Sequence, residues 1–428
     1  MLCFVALSWI GFYLLGPTIQ PYEDEILEYH VAPNYVDYKS LLPAPIKDIE
    51  QRLSTAKKTL IIVSHGRSGS SIMGDIFNHH PSVFYMYEPL QTVERIYQSF
   101  SALGINMSYR GLADEWLGGL LRCKFENPRF LEDTEIYYRK QKHPRVSQAI
   151  ASPPLCPYRP TDPRWDPALC PPMTSESLGS ACKNNYNLTV LKILISRIPK
   201  NTIEPILTAC RPVDVDCKIV FLMRDPRAMI PSSQSFGFFN ARGDSARRGI
   251  RLYSYWRCKE TDESLEIIRK LPNSLRKRIK LQRYEDLAYD PLKALSGLYE
   301  FAGLSVLESV RTWLNETTKQ TRADCKKMNE EQATCTKDDA WAAANRWRWL
   351  VHPHEIDIIE HYCRDVMRWM GYKPVERSYD LLANKEILLF SDSYEAESWF
   401  SYTNDKRHRE KEHIKYHNNN VEYLYRTS

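Results

Sequence analysis

Thr59-Leu-Ile-Ile-Val63, followed by Ser64-His-Gly-Arg-Ser-Gly-Ser-Ser-Ile-Met73, decides the fold. The apolar, β-branched run reads as a buried strand. The Gly/Ser stretch reads as a tight loop. Ile72, Met73, Ile76 and Phe77 then share one face of a helix that His80-Pro81 ends, because a residue before proline avoids the helical region. A strand, a Gly/Ser loop and a helix start together cradle phosphate or sulfate on backbone N–H groups and the helix N-terminus. The loop lacks the Walker pattern, whose lysine reaches the terminal phosphates and whose hydroxyl holds magnesium. Here Arg67 supplies the charge as a planar fork, Gly69 lets the backbone pass close to an anion, and Ser70 and Ser71 open the helix.

A second segment of the same kind is Lys218-Ile-Val-Phe-Leu-Met-Arg-Asp-Pro-Arg227. It ends a strand with Arg224, places Asp225 as a cap and Pro226 in the first turn of the next helix, and puts Ser232, Ser233 and Ser235 in that helix. Alone it is an ordinary helix start; beside the first segment it is a second anion reader. Further strands are expected at Val83–Tyr87, Thr189–Ile195 and Ile279–Tyr284, and a helix over Asp357–Met370 that stops at Gly371. Strands alternating with helices predict an α/β fold with a mostly parallel sheet and helices on both faces.

The chain has 428 residues, 43% hydrophobic and 12% aromatic, and a net charge of +5. That charge permits acidic ligands, and with no concentrated basic face in view, nucleic acid is not an expected partner. The aromatics suit sugar stacking as well as core packing. Residues 1–16 form an apolar segment, short for a full span, that reads as a signal anchor, a secretory signal or a trimmed start, or else as a buried helix. Residues 17–58 read as a Pro-containing stem, 59–374 as the main domain with an irregular, Pro-rich insertion at about 100–186, and 375–428 as a polar tail. Three sequons, at Asn106, Asn187 and Asn315, and ten cysteines after the apolar start point to an oxidising lumen with disulfides. Cys325 with Cys335 and Cys210 with Cys217 are plausible close pairs. No paired CxxC spacing is present, so no metal is expected.

Arg67-Ser-Gly-Ser-Ser71 after a strand, then Tyr87-Glu-Pro89, then Val220-Phe-Leu-Met-Arg-Asp-Pro-Arg-Ala228, resembles the Golgi carbohydrate sulfotransferases that modify the 6-hydroxyl of galactose, N-acetylgalactosamine or N-acetylglucosamine. Trp256-Arg-Cys258, Arg283-Tyr-Glu-Asp-Leu287 with Asp290-Pro291, and Asn345-Arg-Trp-Arg348 look like further family landmarks in the right order, so the likeness spans roughly residues 59–374. Ile72 stands where the family usually has Phe, and Met229-Ile-Pro-Ser-Ser233 where it often has Leu-Ala-Ser-Arg.

The resemblance implies a P-loop-like sulfotransferase fold and the donor 3′-phosphoadenosine 5′-phosphosulfate (PAPS). It also implies a glycan acceptor and a Golgi membrane enzyme of type II orientation with a lumenal catalytic domain. Residues Arg67, Ser68, Gly69, Ser70, Ser71, Ile72 and Met73 would then take the 5′-phosphosulfate. Residues Arg224, Asp225, Pro226, Arg227, Ala228, Met229, Ile230, Pro231 and Ser232 would take the 3′-phosphate. Glu88 is expected as general base and Arg67 as the polarising cation; without a triphosphate no magnesium is required. A structural carboxylate paired with an arginine is the other reading of Glu88, and His65, His79 and His80 are rival bases, with His65 foremost. A non-catalytic lumenal glycan-binding protein explains the aromatics and sequons but not two anion loops. A P-loop kinase lacks its lysine here.

Overall fold

The computed structural model describes residues 56–140, 147–211, 214–239, 245–319, 340–384 and 386–400. The expected apolar leader, most of the stem, and Cys325 with Cys335 lie outside the described residues.

Five parallel strands form one sheet in the order β2-β3-β1-β4-β5. They are β1 (Lys57–Ser64), β2 (Val83–Tyr87), β3 (Leu188–Leu194), β4 (Val215–Met223) and β5 (Ile279–Arg283). Side chains alternate across a strand, so each strand feeds two cores. Ile61, Val63, Phe84, Met86, Leu191, Ile193, Ile219 and Phe221 pack on one face. Leu60, Ile62, Val83, Tyr85, Leu188, Val190, Val220 and Leu222 pack on the other. Helices cover both faces, as parallel sheets require. On the second face lies α1 (Ser70–Asn78), whose Ile72, Met73, Ile76 and Phe77 are all buried there. The first face carries α2 (Leu90–Ala102) and α3 (Tyr109–Arg122).

After β4 come α4 (Pro226–Ser235) and α5 (Ser245–Lys270). Asp225 caps α4 by accepting from the Arg227 N–H at 2.9 Å, and Pro231 sits inside the helix without ending it. The short α6 (Tyr284–Tyr289) follows β5. The expected helix over 357–370 is in fact two, α7 (Pro353–Tyr362) and α8 (Arg364–Trp369), with the break at Cys363. Cys363 is bonded to Cys258 of α5, and its backbone is non-helical there. Gly371 follows with φ 70°, as the expected stop.

The insertion at about 100–186 is less irregular than its prolines suggest. Leu112, Ala113, Trp116, Leu117, Leu120 and Leu121 of α3 recur at helical spacing and are buried in the main core. Disulfides Cys123–Cys182 and Cys156–Cys170 pin the remainder, and Cys210–Cys217 forms as its spacing suggested.

The segment after 374 also departs from the expected polar tail. As far as residue 400 it belongs to the domain, with Val375, Leu382, Leu389, Phe390, Ala396 and Trp399 buried. Arg348 ties it down by donating to the Asn384 and Ile387 carbonyls at 2.9 and 2.7 Å. All three sequon asparagines are exposed.

The loop between β1 and α1 turns at Gly69, whose φ is 80°. A Cβ there would meet the Tyr284 ring at 2.2 Å. Left-handed backbone costs an L-residue roughly 1–2 kcal/mol before any clash. Gly69→Ala is therefore expected to destabilise the fold by about 2 kcal/mol or more. Denaturant unfolding checks this, and an unchanged midpoint would contradict the packing described.

Candidate active site

Parallel strands end on one edge of the sheet, and ligands of open α/β sheets bind outside those carboxyl ends, where strand order reverses. Here β1 has β3 on one side and β4 on the other, so the loops after β1, β2, β3 and β4 converge.

The loops after β1 and β4 are bonded together. Arg224 donates to the Arg67 carbonyl at 3.0 Å and to the Ala343 carbonyl at 2.7 Å, and lies 4.7 Å over the Tyr284 ring. The Arg67 Nε donates to the Ser232 hydroxyl of α4 at 3.1 Å. Among the described residues neither Arg67 nor Arg224 has a carboxylate partner. Burial first, and the Arg224 charge second, work against the charge on Arg67. Two neighbouring guanidiniums with no carboxylate paired to either, Glu285 acting on Arg224 only at a distance, suit an anion.

No side chain caps the start of α1, and no acidic residue lies in its first turn. The N–H groups of that turn have no partner within the helix. The residues present therefore fit a ligand with two separated anionic groups.

Phe236 stacks on Arg67, its ring centroid 3.5 Å from the guanidinium carbon, and is 62% exposed. Phe238, also exposed, packs beside Gly66.

The expected donor residues divide. Arg67, Ser232 and Arg224 meet at this edge. Ser68 and Ser70 are buried in the loop, with Ser71 half-buried beside them, whereas Ile72, Met73, Ala228, Met229 and Ile230 bury their side chains in the cores. Half-buried Pro231 continues α4.

Arg227 departs from the expected ligand role. It is fully buried, pairs with Asp225 and Glu360 at 2.7 Å each, donates to the Lys373 carbonyl, and stacks on Trp347. Those carboxylates hold its charge firmly in place against burial. Asp225 is the N-cap, and its own N–H donates to Glu285 at 3.0 Å. Burial and then the Asp225 charge raise the Glu285 carboxyl to about 7. Tyr372 donates to its other oxygen at 2.8 Å.

Glu88 follows β2 in a left-handed conformation, φ 49°, and is buried. Its two carboxylate oxygens accept from Lys192 and Arg197. Arg197 also pairs with Glu94 at 2.8 Å. Burial alone would raise Glu88, but Lys192 and then Arg197 outweigh it and hold the carboxyl below its ordinary value. Burial lowers Lys192, with Glu88 partly opposing. Lys192 lies over the Tyr87 ring at 4.1 Å, and Tyr87 in turn acts electrostatically on Arg67. Tyr87, at the end of β2, thus lies within electrostatic reach of both the Glu88 cluster and Arg67.

Lys192 and Arg197 were not singled out from the sequence. The available signal is parity: Lys192 interrupts Thr189-Val-Leu-Lys-Ile-Leu-Ile195 at a position facing the α1 core.

The rival bases are occupied elsewhere. His65 is buried against α5, 2.8 Å from the Thr261 hydroxyl and 3.8 Å from Glu260; burial, then the Arg257 charge, push it down to about 3. His79 stacks on Trp313, and His80 packs edge-on to Tyr299.

Comparison with known proteins gives one consistent relationship. The chain is 26% identical to carbohydrate sulfotransferase 4 of Mus musculus over 357 residues, covering 77% of this chain and 87% of that one. It is 27% identical to carbohydrate sulfotransferase 6 of Homo sapiens over 342 residues, covering 75% and 82%. Against carbohydrate sulfotransferase 5 of Mus musculus the figures are 26% over 366 residues, covering 80% and 88%. A sulfotransferase domain matches residues 57–371, well over half of the chain and the whole of the sheet just described, and on that match the chain belongs to the sulfotransferase domain family.

Proposed function

We propose that this chain moves a sulfuryl group from PAPS to a hydroxyl of a sugar. The observation that carries this is the pair Arg67 and Arg224, joined across the β1 and β4 loops beside the uncapped start of α1. The names of its relatives support a carbohydrate acceptor.

In this reading Arg67, with the N–H groups of Gly69 to Ser71 and the Ser70 and Ser71 hydroxyls, takes the 5′ end of the donor. Arg224 and Ser232 take the 3′-phosphate. Bond formation from the sugar oxygen to sulfur releases the nucleotide's 5′-phosphate with the electron pair of the broken S–O bond. Arg67 and the helix start stabilise the negative charge that grows there. The hydroxyl proton passes to Glu88, which Lys192 and Arg197 keep ionised and aimed. A carboxylate of lowered pKa is a weak base for a free alcohol. It is adequate for one whose oxygen is already bonding to sulfur and turning acidic. The four disulfides among the described residues and the three exposed sequons support a lumenal location, which we assign to the Golgi.

Adenosine 3′,5′-bisphosphate is expected to raise the melting temperature, contributing about 2.7 kcal/mol at one hundred times its Kd, and ATP with magnesium less. Arg67→Ala and Arg224→Ala are each expected to abolish most of that shift; an undiminished shift in both would overturn the donor site. Glu88→Gln is expected to lower turnover about 100-fold or more. It also leaves buried Lys192 without its carboxylate partner, Arg197 keeping Glu94, at a cost of roughly 3–5 kcal/mol. The double variant Glu88→Gln with Lys192→Met separates the two effects, recovering stability but not turnover. Recovered turnover in the double variant would make Glu88 purely structural.

The pH dependence follows from the direction of the Glu88 shift. A carboxyl held below its ordinary value must be protonated to lose function, so its acid limb in the rate profile falls below the usual carboxylate range. Its stabilising contribution is complete above the unfolded-chain value and is lost as pH falls through the lower folded value. A limb near pH 6 assigned to residue 88 by the Gln variant would contradict this.

A further inference from the structure

Of the aromatic and arginine residues in the later landmarks, most have structural tasks. Arg283 is buried on Asp286, Trp347 stacks on Arg227, and Arg348 anchors the chain near residue 384. Trp256 does not share them: it is 50% exposed on the outer face of α5. Leu252 and Tyr255, 51% and 41% exposed, join it at helical spacing into one apolar stripe. Tyr362 of α7, 38% exposed, extends the stripe sideways, its ring 6.2 Å from Tyr255. The Lys259 ammonium stands 5.6 and 5.3 Å from the Tyr255 and Trp256 rings.

Charge is one-sided here. Every charged residue from Ser245 through Lys259 is a cation: Arg247, Arg248, Arg251, Arg257 and Lys259. Arg257 turns inward to Glu260 at 2.9 Å, while Arg247 and Arg251 are exposed. The net charge of the whole chain concealed this basic half-helix.

We propose that the outer face of α5 between Arg251 and Lys259 is a subsite for an anionic glycan, the part of the acceptor chain beyond the sugar being modified. This rests on the sulfuryl-transfer reading above. Tyr and Trp faces suit the C–H faces of pyranose rings, and the flanking cations suit sulfate or carboxylate groups along the same chain. From Leu252 to Lys259 the stripe runs about 10 Å, long enough for an oligosaccharide rather than a single sugar.

The helix is fixed to the donor loop. His65 bonds Thr261 of α5, and Phe239 stacks on Tyr253 with centroids 4.3 Å apart, next to the Phe236 that covers Arg67. A chain held on α5 is thereby held by the same rigid unit as the reacting end. A membrane surface fits less well. Four apolar side chains between cations make too narrow a stripe to insert roughly 5–10 Å into a bilayer.

The test is direct binding by the full chain of a sulfated poly-N-acetyllactosamine hexasaccharide, its unsulfated counterpart, and vesicles of phosphatidylcholine with phosphatidylserine. The sulfated hexasaccharide is expected to bind about tenfold tighter than the neutral one, and Trp256→Ala or Arg251→Glu each to lose about tenfold. Trp256→Phe should bind as the parent does. Melting temperature, the nucleotide shift and sulfation of a monosaccharide acceptor should not change in these variants. Equal binding by parent and both variants, or binding of vesicles but not of the sulfated glycan, overturns the proposal. The glycan measurement needs no donor. Failure of the nucleotide shift therefore defeats the transferase reading, while failure of glycan binding with the shift intact defeats only the subsite.

Discussion

Arg224 donating to the carbonyl of Arg67 is the contact on which the site depends. It fastens the loop after β1 to the loop after β4 and brings two guanidiniums within electrostatic reach of each other. Like charges so placed oppose folding unless something answers them; among the described residues neither guanidinium is ion-paired, and buried Glu285, on which Arg224 acts electrostatically, is itself raised to about 7 by burial first. Nearby arginines are treated otherwise. Arg227, three residues on, has two carboxylates; Arg283 has one. Arg227 and Arg283 are neutralised and build the frame, whereas Arg67 and Arg224, half-buried at the sheet edge without a paired carboxylate, are where an anionic ligand would fit. The frame reaches the loops directly, since Tyr284 lies against both Gly69 and Arg224, and Glu285 beside it holds the Asp225 N–H.

The insertion supports the second half of the site. Trp116 donates to the Pro89 carbonyl at 3.0 Å, Tyr138 to the Tyr87 carbonyl at 2.6 Å, and Tyr109 to the Arg197 carbonyl at 2.7 Å. Three aromatic side chains thus brace the backbone on both sides of Glu88 and at its partner. Glu88 needs such bracing, because its φ of 49° is unfavourable for a residue with a Cβ. Its N–H bonds the Lys192 carbonyl at 2.8 Å, so the strained residue and its buried cation are joined by main chain as well as side chain. Arg67 is left-handed too, at φ 66°. The two residues given chemical roles are both held in conformations that only their surroundings can enforce.

The sheet was legible because its signal is local. Runs such as Thr59–Val63 and Val83–Tyr87 are bounded by turn residues, and each became a strand within a residue or two of the expected ends. The loop cradle was legible because glycine, serine and arginine sit where backbone geometry demands them. What escaped was set by distant partners. Arg227 and Arg224 look alike in sequence. Only the fold brings Glu360, 133 residues away, onto one of them. The break at Cys363 depends on Cys258, 105 residues earlier, and periodicity alone gives one continuous helix there. The α3 helix was legible in principle, its apolar face regular from Leu112 to Leu121, but the proline-rich stretch after it dominated the reading of the whole insertion. Residues 375–400 do carry a signal, the apolar run Ile387-Leu-Leu-Phe390 that buries Leu389 and Phe390, but the polar residues on either side of it outweigh that run in composition.

Lys192 shows how such a site constrains the protein that carries it. A lysine fully inside a sheet is costly to desolvate, and a single carboxylate rarely offsets that cost. The chain gives this carboxylate a second cation, Arg197, and gives Arg197 a second carboxylate, Glu94. Charge therefore alternates outward from the buried lysine to the half-exposed Glu94, from Lys192 through Glu88 and Arg197. An alternating row of this kind holds Glu88 ionised without an ion from solution, and lets one member change partner at smaller cost than in an isolated pair. A hydrophobic residue at 192 would pack as well and stabilise the sheet more simply. The retained charge serves the carboxylate beside it, keeping Glu88 ionised at the end of β2.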